Sequence, residues 1–205
     1  MSDTIDYYFT SASPFVWLGH RALLAIAEKH QKAIRFKPMD IAVVWAESGA
    51  VPVPARPAVR QRYRLLELQR AANCRGLAIV HQPTNFPVNP ELADLCSAAL
   101  VNSNQSPANF LANIGDALWA NDQLISDPAV ISSALTSAGH NAEDILTLAG
   151  HSEATDLRRQ NSKDAVTASV VGAPGYVYRG EVFWGQDRIE YLDAMLTSGR
   201  DPYTA

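Results

Sequence analysis

Strand-like segments lie only near the two ends of this 205-residue sequence, and this distribution limits the fold more than any other feature. Residues 5–10 (Ile-Asp-Tyr-Tyr-Phe-Thr) and 34–39 (Ile-Arg-Phe-Lys-Pro-Met) are rich in β-branched and aromatic residues and predict two strands. Residues 175–185 predict a hairpin that turns at Arg179-Gly180. Residues 57–162 show helical patterning instead. The predicted order is therefore β-α-β, a long helical segment, and β-β-α.

Polar residues that directly precede prolines mark several helix starts. Ser13-Pro14 predicts a helix from residue 14 to about residue 30, because serine is a good N-cap and proline is tolerated in the first turn. Further helices are predicted over 59–72, from Glu143 with a break near Gly150, and over 188–196. Three more polar-proline pairs predict helix starts inside the long segment: Asn89-Pro90, Ser106-Pro107 and Asp127-Pro128.

This order of elements predicts an α/β protein with a thioredoxin-like fold and a large all-helical insertion. The thioredoxin-like domain would be discontinuous, formed by residues 1–45 and 165–205. Residues 46–164 would form the helical insertion domain. The segment 50–57 contains three prolines and predicts a stiff link into the insertion.

Charge and composition exclude several classes of function. The chain has 17 Lys and Arg against 21 Asp and Glu, so it lacks the basic surplus that a nucleic-acid partner requires. No apolar run is long enough for a membrane-spanning helix. Cys74 and Cys96 form no CxxC pair, and the N-terminus shows no secretion signal, which together predict a cytoplasmic protein. The histidines lack the spacing of metal ligands, so no metal site is predicted.

Ser13 is the first candidate for chemistry. Its hydroxyl would lie at a helix N-terminus, where unpaired N–H groups and a charge of roughly +0.5 favour an anion such as a thiolate. Ser13 could equally be only an N-cap, since the other polar-proline pairs have no claim to function.

Two late features would meet this helix end in a thioredoxin-like topology. Pro174, in Gly172-Ala173-Pro174-Gly175, occupies the position of a cis-proline that faces the first helix and offers a backbone edge to a peptide ligand. The string 183–188 (Phe-Trp-Gly-Gln-Asp-Arg) follows the hairpin. Asp187 in this string could cap the last helix or bind the ammonium group of a ligand.

Several motifs together resemble one family. They are Asp6-Tyr7-Tyr8-Phe9 with Ser13-Pro14-Phe15, Tyr63 with Leu68-Gln69-Arg70, Val171-Gly172-Ala173-Pro174, and Phe183-Trp184-Gly185-Gln186-Asp187-Arg188. In these motifs the chain resembles the 2-hydroxychromene-2-carboxylate isomerases, which are close to the kappa-class glutathione transferases within the DsbA-like thioredoxin group. The match spans nearly the whole chain.

The resemblance implies a glutathione-dependent isomerase of bacterial aromatic degradation that converts cyclic chromene hemiketals to trans-benzylidenepyruvates. It implies that Ser13 contacts the sulfur of glutathione as the catalytic residue. It also implies that Ala173 and Pro174 hold the cysteinyl part, and that the γ-glutamyl end is held by Trp184, Gly185, Gln186 and Asp187. A homodimer is a further implication.

The substrate half of the resemblance is less complete. Some family members carry a lysine after the second strand and an Asn-Arg pair before the first insertion helix, where this chain has Ala42-Val43-Val44-Trp45 and Pro54-Ala55-Arg56. We therefore expect Arg56 to serve the substrate carboxylate, and Asn85 and Phe86 to line the pocket for a small aromatic substrate. Two alternatives stay open: a transferase that conjugates glutathione to electrophiles, and a non-catalytic binding module.

Overall fold

The computed structural model describes residues 3–204, in which a four-stranded mixed sheet is combined with nine helices. The strands are β1 (Thr4–Phe9), β2 (Ala33–Pro38), β3 (Gly175–Tyr178) and β4 (Glu181–Trp184). The sheet order is β2-β1-β3-β4, with β1 parallel to β2 and both other pairs antiparallel. The thioredoxin-like α/β fold with a helical insertion is therefore confirmed.

The helices agree with most of the sequence predictions. They are α1 (Pro14–Lys29), α2 (Ile41–Ser48), α3 (Ala58–Arg75), α4 (Glu91–Asn102), α5 (Ala108–Trp119), α6 (Pro128–Ser137), α7 (Ala142–Ala149), α8 (Ser152–Thr167) and α9 (Ile189–Ser198), with a short 3-10 turn at Val53–Ala55. The predicted break near Gly150 is the boundary between α7 and α8. Helix α2 was not predicted, because its run of apolar residues lacks a distinct polar face.

Two of the predicted proline helix starts are displaced by one residue. Helices α4 and α5 begin just after Pro90 and Pro107, although Asn89 and Ser106 still cap them by accepting the N–H of the residue after the proline, at 3.0 and 3.3 Å. At Asp127 the prediction is confirmed, because its carboxylate accepts the Ala129 N–H at 2.8 Å and the helix begins at the proline.

The sheet is buried on both faces. The residues Ile5, Tyr7 and Phe9 alternate along β1 and pack into a core with α1 and α9. Tyr8 points into a second core with β3, α2 and α8. A third core lies within the helical insertion and includes Trp17 of α1. None of the helices between residues 3 and 204 combines the length and apolar character needed to cross a bilayer.

Helices α1 and α5 approach closely at Gly115. A methyl group added there would lie 2.4 Å from Cδ1 of the buried Trp17, whose indole N–H donates to Asp116 at 2.7 Å. The ring is therefore held in place and cannot easily move away.

We expect Gly115→Ala to lower the free energy of unfolding by about 1–2 kcal/mol, because overpacking outweighs the roughly 1 kcal/mol that alanine gains over glycine in a helix. Urea denaturation followed by tryptophan fluorescence measures this change. A variant as stable as the parent would show that the α1–α5 contact is looser than described.

Candidate active site

Ser13 both caps α1 and connects it to a distant loop. Its Oγ accepts the Val16 N–H at 3.3 Å, and its hydroxyl donates to the carbonyl of Ala173 at 3.4 Å. The side chain is half-buried. The capping interpretation is thus confirmed, and the same hydroxyl lies beside the residue that precedes Pro174.

Two backbone N–H groups near this hydroxyl lack intramolecular partners. Within residues 3–204, neither the Phe15 N–H at the start of α1 nor the Ala173 N–H donates a hydrogen bond. The first points out of the positive end of the helix dipole, and the second belongs to the bend that precedes β3. Together with the Ser13 hydroxyl, they provide donors for an anion and for a peptide backbone.

The cis-proline position is connected to the late hairpin. The Ala173–Pro174 bond is cis, and the Pro174 carbonyl accepts the Gly185 N–H at 2.9 Å. A methyl group on Gly172 would lie 2.6 Å from Nε1 of Trp184, so only glycine permits this approach. Trp184 keeps 53% of its surface exposed. The indole and the cis-proline therefore border one open site.

The residues that follow Trp184 form a tight turn against α1 and α3. Gly185 has a φ of 103°, and Gln186 packs against Gly19 of α1, where an added Cβ would lie 3.0 Å from the glutamine Cβ. The Arg75 guanidinium, at the end of α3, donates to the Gln186 carbonyl at 3.0 Å and to its Oε1 at 3.3 Å. Sequence reasoning missed Arg75, since its partner lies 111 residues away.

Asp187 does not cap the last helix. Helix α9 begins at Ile189 without any side-chain cap, one residue later than predicted. Across residues 3–204 the Asp187 carboxylate pairs only with the neighbouring Arg188, at 2.7 Å, and it is about half exposed. Of the two functions that the sequence left open, the structure excludes capping, and the carboxylate is accessible to a ligand.

A buried carboxylate supports the segment that leads into Ser13. Asp94 of α4 accepts hydrogen bonds from the Thr10 hydroxyl at 2.9 Å and from the Ser11 N–H and hydroxyl at 2.7 Å each. Arg158 of α8 lies 3.7 Å away. Burial raises the pKa of Asp94 to about 6, although Arg158 and these donors act in the opposite direction. The sequence alone gave no signal for this role.

The three residues expected to bind substrate are only partly brought together. Phe86 packs against Trp119 with ring centroids 5.0 Å apart, in the same cluster as Ala12 and Phe15, which flank Ser13. Arg56 donates to the Val51 carbonyl at 2.9 Å and lies over the Trp45 ring. The side chain of Asn85 is exposed and joins neither group.

The site contains no thiol of its own. Cys74 is exposed on α3, and Cys96 is buried in the helical core, where desolvation raises the pKa of its thiol to about 12. Across the described residues no group of three or more metal-ligating side chains is close enough to hold a metal ion. The site can therefore stabilise an anion and pair with a peptide, but any sulfur nucleophile must come from a ligand.

A family model for DSBA-like thioredoxin domains matches residues 4–197. Two curated proteins named 2-hydroxychromene-2-carboxylate isomerase are similar over nearly their whole lengths. The protein from Sphingobium xenophagum is 27% identical over 201 residues, covering 96% of this chain and 99% of its own. The one from Pseudomonas putida is 26% identical over 197 residues, covering 94% and 93%.

Solved structures agree on the fold. A structure of 2-hydroxychromene-2-carboxylate isomerase superposes with a TM-score of 0.77 at 22% identity and covers 95% of each chain. The cytosolic disulfide reductase DsbM from Pseudomonas aeruginosa, solved with GSH, superposes with a TM-score of 0.64 at 16% identity, covering 96% of this chain and 98% of that one.

We expect the buried Asp94 carboxyl to make stability depend on pH. Its pKa is higher in the folded protein than its ordinary value of 3.8, so folding takes up a proton between about pH 4 and 6. This contribution stabilises the protein at pH 4 and is lost as the pH rises to 7, by about 3 kcal/mol. Urea unfolding of the parent and of Asp94→Asn should give a larger stability difference at pH 4 than at pH 7. Equal differences at both pH values would contradict this assignment.

Proposed function

Because the chain belongs to the DSBA-like thioredoxin domain family, we propose that it is a glutathione-dependent isomerase for aromatic substrates of the 2-hydroxychromene-2-carboxylate type. The observation that carries this proposal is the Ser13 hydroxyl, held 3.4 Å from the Ala173 carbonyl at the amino end of α1. The names of the two curated relatives support the reaction, and their similarity extends over nearly the whole chain.

The donors around Ser13 fit the cysteinyl part of glutathione. The free Ala173 N–H would pair with the backbone of the tripeptide as an added strand does, beside Pro174. The Ser13 hydroxyl would turn from Ala173 to donate to the sulfur. A hydrogen bond to an anion and the positive helix end both favour the thiolate over the thiol. Ser13 would then stabilise the nucleophile and not attack the substrate itself.

The residues after β4 fit the γ-glutamyl end. Asp187 supplies an accessible carboxylate for the ligand ammonium, and Gly185 and Gln186 supply the turn that presents it. Arg75 holds Gln186 from the side of α3 and would keep that turn in place. Trp184 would form one wall of the groove. The cysteinyl and γ-glutamyl ends would thus be held by two separate loops that meet at the Gly185–Pro174 hydrogen bond.

Bound glutathione would supply a thiolate that adds reversibly to the conjugated double bond of the ring-opened substrate, so that the bond can rotate and reform as trans. In this cycle the protein lowers the pKa of the glutathione thiol, holds the sulfur in one position and releases glutathione unchanged. A polar hydroxyl suits this cycle better than a cysteine would, because serine cannot form a mixed disulfide with the ligand.

A direct assay tests the reaction. Isomerisation of 2-hydroxychromene-2-carboxylate is followed spectroscopically with and without glutathione, and we expect turnover only with glutathione. Equal rates in both conditions would refute glutathione dependence. Stable glutathione conjugates of chlorodinitrobenzene without any isomerisation would instead identify a transferase, which the same thiolate site could support.

We expect Ser13→Ala to lower the isomerisation rate roughly 10- to 100-fold, because a hydrogen bond to a charged group contributes roughly 1.5–3 kcal/mol. Loss of the cap should also lower stability by about 1 kcal/mol. The control is Ser106→Ala, which removes the other Ser-Pro cap, at α5, where the hydroxyl accepts the N–H two residues on, and which should lose stability without losing activity. Equal activity in the two variants would show that Ser13 is only a cap.

We expect Asp187→Asn to weaken glutathione binding about tenfold, because the amide cannot pair with the ligand ammonium. Isothermal titration calorimetry with glutathione measures this loss. Asp156→Asn is the control, since that exposed carboxylate on α8 also pairs with a nearby arginine, at 2.7 Å. An unchanged glutathione affinity in the Asp187 variant would show that the γ-glutamyl ammonium does not bind at Asp187.

A further inference from the structure

Arg64 of α3 is a buried cation without a counter-ion. Only 9% of its surface is exposed, and no carboxylate or other hydrogen-bond acceptor among residues 3–204 contacts its guanidinium. Burial, together with the nearby charge of Arg56, lowers the pKa of Arg64 to about 10, so the side chain remains charged at neutral pH. Within the described residues, the Arg64 nitrogens are not among the fully buried atoms that lack a partner, so the guanidinium keeps some contact with solvent while it loses much of its hydration.

The other well-buried arginine of the helical insertion shows the usual arrangement. Arg158 of α8 lies 3.7 Å from both Asp40 and Asp94, so two carboxylates balance its charge. Within residues 3–204 Arg64 has no such partner, and the charge of Arg56, which acts on it, has the same sign. The contrast indicates that the described part of the protein supplies no negative charge to balance Arg64.

Aromatic rings surround the Arg64 guanidinium. Its Cζ lies 5.1 Å from the centre of the Phe86 ring and 5.9 Å from that of Trp119. Cation–π contacts of this kind return part of the desolvation cost but do not neutralise the charge. The indole N–H of Trp119 is also buried without a hydrogen-bond partner. Two unpaired donor side chains therefore share one apolar cluster.

We propose that Arg64, with Phe86 and Trp119, forms the binding site for the carboxylate of a planar aromatic acid. This inference rests on the proposed function and names the residue that receives the substrate in that reaction. A guanidinium can hold a carboxylate with two parallel hydrogen bonds. The half-buried Phe86 ring, which packs on the fully buried Trp119, provides an apolar wall for the aromatic part of the same molecule.

The position of this cluster agrees with such a role. Phe86, Ala12 and Phe15 all pack against the same helical core, and Ala12 and Phe15 lie within two residues of Ser13, so the anion site and the thiolate site border one core. Arg56 would add a second positive charge at longer range. The expected role of Arg56 is thus shared with Arg64, which is better buried and has no competing backbone partner.

The test measures binding of 2-naphthoate, with the neutral 2-naphthamide as its isostere, by quenching of tryptophan fluorescence in the absence of glutathione. We compare the parent with Arg64→Leu, Arg64→Lys and the control Arg62→Leu, which removes an exposed arginine from the same helix. We expect Arg64→Leu to weaken naphthoate binding at least tenfold, Arg64→Lys to weaken it less, and Arg62→Leu to leave it unchanged. Naphthamide should bind all four proteins with similar affinity.

The assignment is overturned if Arg64→Leu and Arg62→Leu bind naphthoate with equal affinity. It is also overturned if the parent binds the acid and the amide equally well. In either case Arg64 makes only a structural cation–π contact. Circular dichroism of the same variants checks that they remain folded, and calorimetry measures whether they bind glutathione. If glutathione does not bind but naphthoate binding still depends on Arg64, the proposed isomerase function fails while the anion site stands. If glutathione binds normally and the Arg64 variants bind naphthoate like the parent, only the anion site fails.

Discussion

The buried carboxylate of Asp94 is the interaction on which the site geometry depends. Ser13 lies at the end of a short loop between β1 and α1, and two residues of that loop donate three hydrogen bonds to Asp94. The carboxylate comes from α4, in the helical insertion, and Arg158 of α8 lies behind it. The insertion therefore does more than cover the sheet, because it fixes the position of the first residue of the proposed thiolate site.

Local signals in the sequence were sufficient for most of the fold. The Ser13-Pro14 and Asp127-Pro128 pairs act within a few residues, and the structure places helix starts at both. The hairpin turn at Arg179-Gly180 is likewise set by its own backbone, since both residues have positive φ. Helix α2 was missed because its first six residues are all apolar, and such a short run has no periodicity that separates a helix from a strand.

The supporting residues of the site could not be predicted in the same way. Asp94 contacts a segment 83 residues earlier in the chain, and Arg75 contacts one 111 residues later. The sequence around Asp94 and around Arg75 contains no pattern that predicts these long-range contacts. The residues that we propose to contact a ligand were accessible to sequence reasoning, because Ser13, Pro174 and Asp187 belong to short motifs. The residues that hold them in place are distributed over the insertion and are visible only in three dimensions.

Electrostatics divides the proposed site into two halves with different requirements. The thiolate half needs donors that stabilise the sulfur anion without transferring a proton to it. A serine hydroxyl and a helix N-terminus meet this requirement. The substrate half needs a fixed positive charge against an apolar wall, which Arg64 provides at a cost to stability when no ligand is bound. If Arg64 were paired with a carboxylate of the protein, the fold would gain stability but the guanidinium would no longer be available to a ligand. The unpaired guanidinium is therefore more simply explained by ligand binding than by folding.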